Sequence, residues 1–329
     1  MRKVTAPVRN YTVDYRLEAC NTSDKRVIRV LKMSNEALVQ LPDGAVVAFE
    51  EFGDPNGVPV IFCHGWPSSR IMARLTDDPA RDLAIRIISP DRPGISASSL
   101  HRDRKLSDWP RVVERIVEHL GVREFRMLAI SGGAPYAYAT AAAMPQRVRA
   151  IAIVGGAPPM AELVNAEGLL PLYRRMLTLY RTRPRLLRRL FYLVRPILSL
   201  RPPVRFRPLL LKILMLRPCD AESLRDAEAF EAIFESQRRA WRSSVEGVMV
   251  DGQIYAQPWG LAIEDVRIPV RLWHGKEDRA FSVHLAEEVA KRLPNCKARF
   301  VDNAGHYSLP IRHMREILQD LICNAGTSS

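Results

Sequence analysis

Short, mainly apolar runs that alternate with helical segments limit the folds open to this chain more than any other feature. The runs have the length and composition of strands covered on both faces, and they are Val58–Cys63, Ala84–Ser89, Phe125–Ile130, Val148–Val154, Pro269–Trp273 and Lys297–Val301. Segments with helical periodicity lie between and after them, at Ser107–Leu120, Gly132–Met144, Ser282–Leu293 and Tyr307–Ile322. Because strand, helix and strand connect as right-handed units, this alternation predicts an α/β fold with a mostly parallel central sheet and flanking helices.

The alternation also divides the chain into parts. Residues 37–157 and 263–329 are predicted to form one α/β core, which opens with an antiparallel hairpin. Residues 158–262 interrupt that core with helical periodicity and repeated prolines, and we expect an inserted cap of short helices there. Residues 1–36 have weak periodicity and are treated as an N-terminal extension.

The positive charge of the chain is concentrated in one segment. Lys and Arg outnumber Asp and Glu by 49 to 36, a surplus of 13, and residues 168–219 alone hold 13 basic residues and no acidic ones. This segment lies within the predicted cap. It is rich in Leu and Pro and carries no known nucleic-acid-binding motif, so we expect no nucleic-acid partner.

One helix of the basic segment is predicted to have two distinct faces. Over residues 185–195 one face is apolar and another is basic. The apolar face contains Leu186, Leu187, Leu190, Phe191 and Val194. The basic face contains Arg185, Arg188, Arg189 and Arg195. In one interpretation the apolar face packs on the core and roofs an acyl pocket, while the arginines face water. In the other, the arginines contact anionic lipid headgroups and the Leu-rich stretch 209–216 enters the membrane interface.

Cysteine usage and the N-terminal sequence set the expected compartment. The five cysteines include no Cys-x-x-Cys pair, and the first 30 residues hold no apolar run of the kind a signal peptide needs. We therefore expect a cytoplasmic protein, peripheral to a membrane if the cap binds lipid. No group of residues has metal-ligand spacing and no glycine-rich phosphate loop occurs, so neither a metal nor a cofactor is expected.

Ser131 stands directly between a predicted strand and a predicted helix, in the sequence Ala-Ile-Ser-Gly-Gly. The small residues Ala129 and Gly133 leave room for a sharp turn that exposes the hydroxyl at the N-terminus of a helix. Ser131 is therefore the candidate nucleophile. The alternative is a Ser-Gly-Gly turn that only opens a helix.

A serine hydroxyl needs a histidine base, and that base needs a carboxylate to orient it. Asp278 and His306 each follow a predicted strand, and the chain order Ser, Asp, His matches one known triad arrangement. Other acids and histidines are less well placed, and they are His274, His284, His313, Glu277 and Asp302.

The turn after the first parallel strand begins at His64. A tetrahedral oxyanion needs two backbone N–H donors, and we expect them from Trp66 and Gly132. His64 itself is expected to be a buried turn histidine bonded to backbone carbonyls. Asp91 is expected to form a turn, with Arg92 as its partner.

Five stretches of the chain resemble enzymes of the α/β-hydrolase fold, in the branch with an H-G-x-P motif: FCHGWPSSR, SPDRPGIS, AISGGAPYA, LWHGKED and NAGHYS. The resemblance covers residues 37–157 and 263–323 and matches the cap only as an insertion. It implies a complete set of reacting groups, which are nucleophile Ser131, acid Asp278, base His306, and the oxyanion donors Trp66 and Gly132. Ala129 and Ser96 replace glycines of the family pattern, but neither change removes a reacting group.

Taken with the resemblance, these residues predict a serine hydrolase that cleaves a small-molecule acyl compound, above all a carboxylic ester, through an acyl-enzyme. Epoxide hydrolysis and dehalogenation are disfavoured, because those branches attack with a carboxylate. The same groups would serve another acyl or carbon–carbon bond hydrolase or an acyltransferase, since the fold hosts all of them. A further alternative is a ligand receptor with little turnover. The sequence contains no feature that indicates an oligomeric state.

Overall fold

A computed structural model of the chain describes residues 36–163, 166–213 and 216–323. Of the predicted N-terminal extension, all but Glu36 lies outside the described residues. The last six residues of the predicted core also lie outside them, at 324–329.

Eight strands form one sheet, and they are β1 (Glu36–Gln40), β2 (Val46–Gly53), β3 (Val58–Cys63), β4 (Ile85–Pro90), β5 (Phe125–Ile130), β6 (Val148–Val154), β7 (Val270–Gly275) and β8 (Cys296–Val301). Their spatial order is β1-β2-β4-β3-β5-β6-β7-β8. The pairs β1–β2 and β2–β4 are antiparallel, and all later pairs in that order are parallel. The predicted α/β fold with a mostly parallel sheet is confirmed.

Helices cover both faces of the sheet, and they are α1 (Asp77–Asp82), α2 (Trp109–His119), α3 (Ala134–Ala143), α10 (Val283–Arg292) and α11 (Ser308–Ile322). On one face Ile116 of α2 and Val289 of α10 join the same apolar cluster as Ile61 of β3. On the other, Ile317 of α11 packs with Phe62, the next residue of that strand. Because successive strand side chains point to opposite faces, one apolar strand supplies both layers of core.

Among the described residues between β6 and β7 are six α-helices, and they are α4 (Pro171–Thr182), α5 (Pro184–Ser199), α6 (Arg207–Ile213), α7 (Pro218–Ser223), α8 (Ala227–Ser243) and α9 (Val245–Ala256). The indole N–H of Trp66, in the turn after β3, donates to the Val248 carbonyl on α9 at 2.9 Å, so the insertion covers that edge of the sheet. All six helices fall within residues 158–262, and the status of that range as a separate cap domain stays a prediction.

The prolines of the insertion do not all shorten its helices as expected. Pro171, Pro184 and Pro218 each stand in a helix's first turn, where the missing N–H has no intrahelical partner to lose. Pro196, however, lies inside α5, which continues to Ser199. The buried side chains earlier in α5 hold that helix against its neighbours, so loss of one bond near its end does not stop it.

No helix of the described ranges is long and apolar enough to cross a bilayer.

Candidate active site

The backbone at Ser131 is strained. Strand β5 ends at Ile130, a short 3₁₀ turn follows, and α3 begins at Ala134. Ser131 has a φ of +54°, in the left-handed region that residues with a side chain rarely occupy. A Cβ on Gly133 would lie only 2.0 Å from the Cys63 carbonyl oxygen, so glycine is required there. The turn holds the serine side chain at the carboxyl end of the sheet in a conformation that other parts of the fold must impose.

Ser131, His306 and Asp278 come together in space. His306 Nε2 lies 3.0 Å from Ser131 Oγ, and His306 Nδ1 lies 2.7 Å from Asp278 Oδ2. The other oxygen of Asp278 accepts backbone N–H bonds from Ala280 at 2.7 Å and Phe281 at 3.1 Å. The carboxylate is thus fixed on both sides, and it holds the imidazole with one nitrogen facing the serine.

The electrostatics of the pair favour an ionised carboxylate beside a basic imidazole. Burial alone would raise the pKa of Asp278, but the charge and hydrogen bond of His306 and the Phe281 amide hold that pKa below its ordinary value. Burial alone would lower the pKa of His306, but the charge and hydrogen bond of Asp278 and the charge of Asp220 hold it above its ordinary value. The arrangement therefore stabilises the imidazolium that proton transfer from a serine would create.

Gly155, at the end of β6, leaves room for this pair. Its φ is +52°, and a Cβ on it would lie 3.3 Å from Asp278 Oδ2 and 3.5 Å from His306 Nδ1. A side chain there would be strained and would crowd the carboxylate and the imidazole.

The rival residues lie elsewhere. His284 is 74% exposed on α10, and His313 lies beside Glu316 on α11. Asp302 is 78% exposed next to Lys276. Glu277 lies 3.8 Å from Arg217 on the surface. None of these side chains reaches Ser131.

His274 is buried beside the site without joining it. Its Nε2 lies 3.0 Å from the Phe281 carbonyl oxygen and 3.8 Å from Asp278 Oδ2. Burial lowers its pKa despite the nearby carboxylate, so it is a neutral residue that supports the Asp278 loop.

Trp66 and Gly132 border the same small pocket as Ser131. A Cβ on Gly132 would lie 3.0 Å from the Trp66 Cβ, so the two residues are in close contact beside the serine. The Tyr255 hydroxyl, on α9, donates to the Gly132 carbonyl at 2.8 Å and so fixes the orientation of that peptide. Their role as oxyanion donors stays a prediction.

The predicted pairing of Asp91 with Arg92 is wrong. Asp91 accepts from the Arg70 backbone N–H at 2.7 Å and pairs with the Arg70 side chain. Arg92 makes its contacts with other groups. Its guanidinium donates to the carbonyls of His64 and Gly65, both at 2.6 Å, and thereby braces the turn that carries Trp66.

His64 is a buried turn histidine, as expected. Its Nδ1 lies 3.0 Å from the Gly65 carbonyl oxygen, and its Nε2 accepts the Arg92 N–H at 3.4 Å. Burial and the nearby Arg92 charge hold its pKa well below the ordinary value, so it is neutral.

Asp251, on α9, is the buried counter-ion of Arg92, which braces the turn after β3. It was not singled out from the sequence. Its carboxylate accepts from Arg92 Nε at 2.7 Å and from the Tyr136 hydroxyl at 2.9 Å, and it also pairs with Arg104. Burial opposes its ionisation, yet the two guanidinium groups lower the pKa of Asp251 to about 2. A lone carboxylate within the apolar run VMVDGQIYA was the available signal.

Asp220, on α7, is a second carboxylate missed in the sequence. Its Oδ1 accepts N–H bonds from Tyr307 at 3.0 Å and Ser308 at 2.7 Å, and the Ser308 hydroxyl bond at 2.8 Å. It therefore caps the first turn of α11, directly after His306. A Cβ on Gly305 would lie 2.6 Å from this carboxylate, so glycine admits it. The available signal was its position as the first acid after the acid-free segment.

Two apolar spaces meet at Ser131. The smaller is a pocket of about 30 Å³, lined by residues such as Met160, Tyr180 and Tyr255. The larger is a cleft of about 460 Å³ between the inserted helices α4, α5 and α8 and the His306 loop. Its walls include Leu172, Met176, Phe191, Val194, Leu198 and Trp241. Within the described residues, no group of three or more His, Cys, Asp or Glu side chains could hold a metal ion.

A family model described as the alpha/beta hydrolase fold matches residues 58–311 of this chain. A proline iminopeptidase of Xanthomonas citri is 32% identical over 109 residues, which are 32% of this chain and 34% of that protein. Its counterpart in Neisseria gonorrhoeae is 30% identical over 112 residues, 33% of this chain and 36% of that protein. The chain thus spans about a third of the length of these curated relatives.

Solved structures of similar shape cover most of the chain. A bromoperoxidase from Bacillus anthracis has a TM-score of 0.66 at 15% identity, covering 87% of this chain and 98% of its own. An esterase from Rhodococcus sp. ECU1013 has a TM-score of 0.61 at 18% identity, covering 89% of this chain and 100% of its own. At such identity the likeness shows the fold alone.

Proposed function

The chain belongs to the α/β-hydrolase fold family, and we propose that within this family it is a serine hydrolase that cleaves carboxylic esters through an acyl-enzyme. One observation carries the proposal. A serine on a strained turn at a strand end contacts a histidine at 3.0 Å, and that histidine contacts a buried carboxylate at 2.7 Å. This is the arrangement that nucleophilic catalysis by serine requires.

In the first half of the proposed reaction, Ser131 Oγ attacks the ester carbonyl and His306 Nε2 takes its proton. Asp278 holds the imidazole through Nδ1 and stabilises its positive charge. The amides of Trp66 and Gly132 are the proposed donors to the oxyanion. His306 then returns the proton to the departing alcohol, and the acyl group stays on Ser131.

In the second half, a water molecule from the cleft attacks the acyl-enzyme. His306 takes a proton from the water, and the carboxylic acid leaves as Ser131 regains its hydroxyl. The same two proton transfers serve both halves, so the proposed reaction needs no group beyond the chain and water.

The lining of the two spaces supports an ester rather than a peptide with a free amino terminus. The residues that line them, within the described part of the chain, include no Asp or Glu. An ammonium group buried there would lack an ionic partner, which is costly. A neutral ester with one small and one large apolar part fits the small pocket and the larger cleft.

Purified protein given p-nitrophenyl esters of increasing acyl length tests the proposal. We expect release of p-nitrophenol by the native chain and its loss in Ser131→Ala. The chain length of the fastest ester would report how much of the cleft the acyl group fills. Tight ligand binding without turnover of any ester would instead favour the receptor alternative.

A further inference from the structure

The exposed apolar side chains of this protein are concentrated on the cap. Of fourteen exposed large hydrophobic residues in the described ranges, eleven lie between Leu186 and Leu209. Leu193 is 73% exposed, Ile197 71% and Val204 68%. Scattered apolar residues are normal on a surface, but such a concentration on one segment marks an interaction site.

Four of these residues form a continuous stripe along α5. Leu186, Leu190, Leu193 and Ile197 are spaced by four, three and four positions, which places them on one face of the helix. The stripe is here called the α5 patch. This corrects the expectation that Leu186 and Leu190 share one packed face with their neighbours, because both are 40% exposed while Leu187 is buried.

Each side of the α5 patch is flanked by a different kind of surface. On one side Phe191, Val194 and Leu198 face the 460 Å³ cleft above Ser131. On the other side Arg185 and Arg189 are exposed, and neither has a carboxylate of the described residues within ion-pairing distance. Arg195 was expected on this basic side, but it is not part of it. Its guanidinium donates to the Trp241 and Arg242 carbonyls at 3.0 and 2.7 Å.

We propose that the α5 patch binds the surface of an anionic lipid bilayer. Exposed apolar side chains between two exposed arginines and an apolar cleft match an interfacial helix, with apolar side chains in the acyl boundary and arginines at the headgroups. The surrounding segment, residues 168–219, holds 13 basic residues and no acidic ones, and although Arg201, Arg207 and Arg217 pair with glutamates elsewhere in the chain, its positive charge adds attraction to an anionic surface. The same charge disfavours a second copy of the chain, because a symmetric contact through α5 would bring two basic segments together.

The binding surface adjoins the route to the candidate nucleophile. Val194 and Leu198 lie on α5 next to the patch and also line the cleft that reaches Ser131 and His306. A helix lying on the bilayer would hold the cleft opening at the interface. If the proposed ester hydrolysis holds, this placement of the cleft implies a substrate class. The substrate would be an ester with a long apolar chain, taken from the membrane.

Co-sedimentation with vesicles tests the surface without any need for turnover. We expect the full chain to pellet with phosphatidylcholine vesicles that contain phosphatidylglycerol, and far less with phosphatidylcholine alone. High salt should release it, because the attraction between exposed charges is screened. Arg185→Glu with Arg189→Glu should lower the bound fraction at least tenfold, and Leu193→Ser with Ile197→Ser should do the same.

Matched variants separate the patch from general effects of charge and polarity. Arg123→Glu with Arg267→Glu removes two exposed arginines away from the cap, and Leu38→Ser removes an exposed leucine from β1. Both controls should pellet like the native chain. Equal binding to both vesicle types, binding to neither, or equal losses in control and patch variants would overturn the proposal. A change of mass in solution for Leu193→Ser with Ile197→Ser, without vesicle binding by the native chain, would favour self-association instead.

Ester hydrolysis is measured on the same variants, and its result is independent of the vesicle-binding result. Ser131→Ala should bind vesicles normally, so loss of turnover with retained binding leaves the surface intact. The arginine variant should hydrolyse a soluble short-chain ester at the native rate and lose rate only on a long-chain ester presented in anionic vesicles. If no ester is turned over, the proposed function fails while the vesicle result still decides the binding surface.

Discussion

Asp220, on α7 of the insertion between β6 and β7, accepts the backbone N–H of Ser308 at 2.7 Å, two residues after the candidate base. The bond ties the insertion to the loop that carries His306, and the carboxylate also faces the imidazole closely enough to favour its positive charge. The insertion therefore helps to set both the place and the basicity of the histidine.

Asp220→Asn removes the charge while its amide oxygen can still accept the helix-capping bonds. We expect a lower pKa for His306, because a negative charge that stabilised the imidazolium is gone. The rise of kcat/KM at acid pH should shift to lower pH, which a pH–rate profile measures. Glu222→Gln on the same helix, 71% exposed, should leave the profile in place. A profile unmoved by Asp220→Asn would show that the carboxylate acts only as a cap.

We expect the native pH profile to depend on His306 itself. The base must be neutral to accept a proton, so activity rises as pH passes upward through its pKa. That pKa is held above the ordinary histidine value, so the acid limb of kcat/KM should lie above about 6.5. His306→Ala should abolish turnover, whereas His284→Ala and His313→Ala should retain it. An inactive His284 variant would place the base elsewhere.

Asp278→Asn tests the carboxylate that orients the base. An amide in place of Oδ2 favours the wrong imidazole tautomer, and we expect kcat to fall by about 10³- to 10⁴-fold while the chain still folds. Circular dichroism and initial rates on one ester measure both. Glu277→Gln, the neighbouring acid, should stay within a few-fold of native, as roughly 1 kcal/mol or less is at stake in a surface pair. The reverse ranking would move the acid by one residue.

Asp251→Asn tests the buried ion pairs that join α9 to Arg92 and Arg104. Arg92 and Arg104 would each lose a charged partner in a buried site, and we expect the free energy of unfolding to fall by about 3–5 kcal/mol. Urea denaturation measures the loss. Asp302→Asn, which breaks an exposed pair with Lys276, should cost about 1 kcal/mol or less. Equal effects of the two changes would mean that Asp251 is not the counter-ion described.

The fold could be predicted from sequence because its strands are locally marked. Val58–Cys63, Phe125–Ile130 and Val148–Val154 have the predicted bounds, since each is an apolar run with polar or glycine-rich ends. The placement of β4 between β2 and β3 was not predicted, because strand order depends on long-range pairing that local periodicity does not record. The 3₁₀ helix at Arg70–Thr76 was not predicted, because its apolar residues show no clear helical periodicity.

The candidate site residues that follow strands could be predicted from the sequence, and those contributed by the inserted helices could not. Ser131, Asp278 and His306 each follow a strand, and parallel strands bring their carboxyl ends to one edge. Asp220 and Asp251 come from helices whose packing no strand pattern reveals, so their contacts with the core stayed hidden. On α5 the two-faced pattern was visible, but the extent of burial depends on neighbouring helices that the pattern does not contain.

Covalent labelling of the serine tests the central proposal most directly. Purified native chain would be treated with a fluorophosphonate probe, digested, and its labelled peptide read by mass spectrometry, with ester turnover measured in parallel. We predict a single label on Ser131, loss of turnover as labelling proceeds, and a fall in kcat of about 10⁴-fold or more in Ser131→Ala. A label on another serine, or a Ser131→Ala variant that keeps most of its rate, would contradict the account.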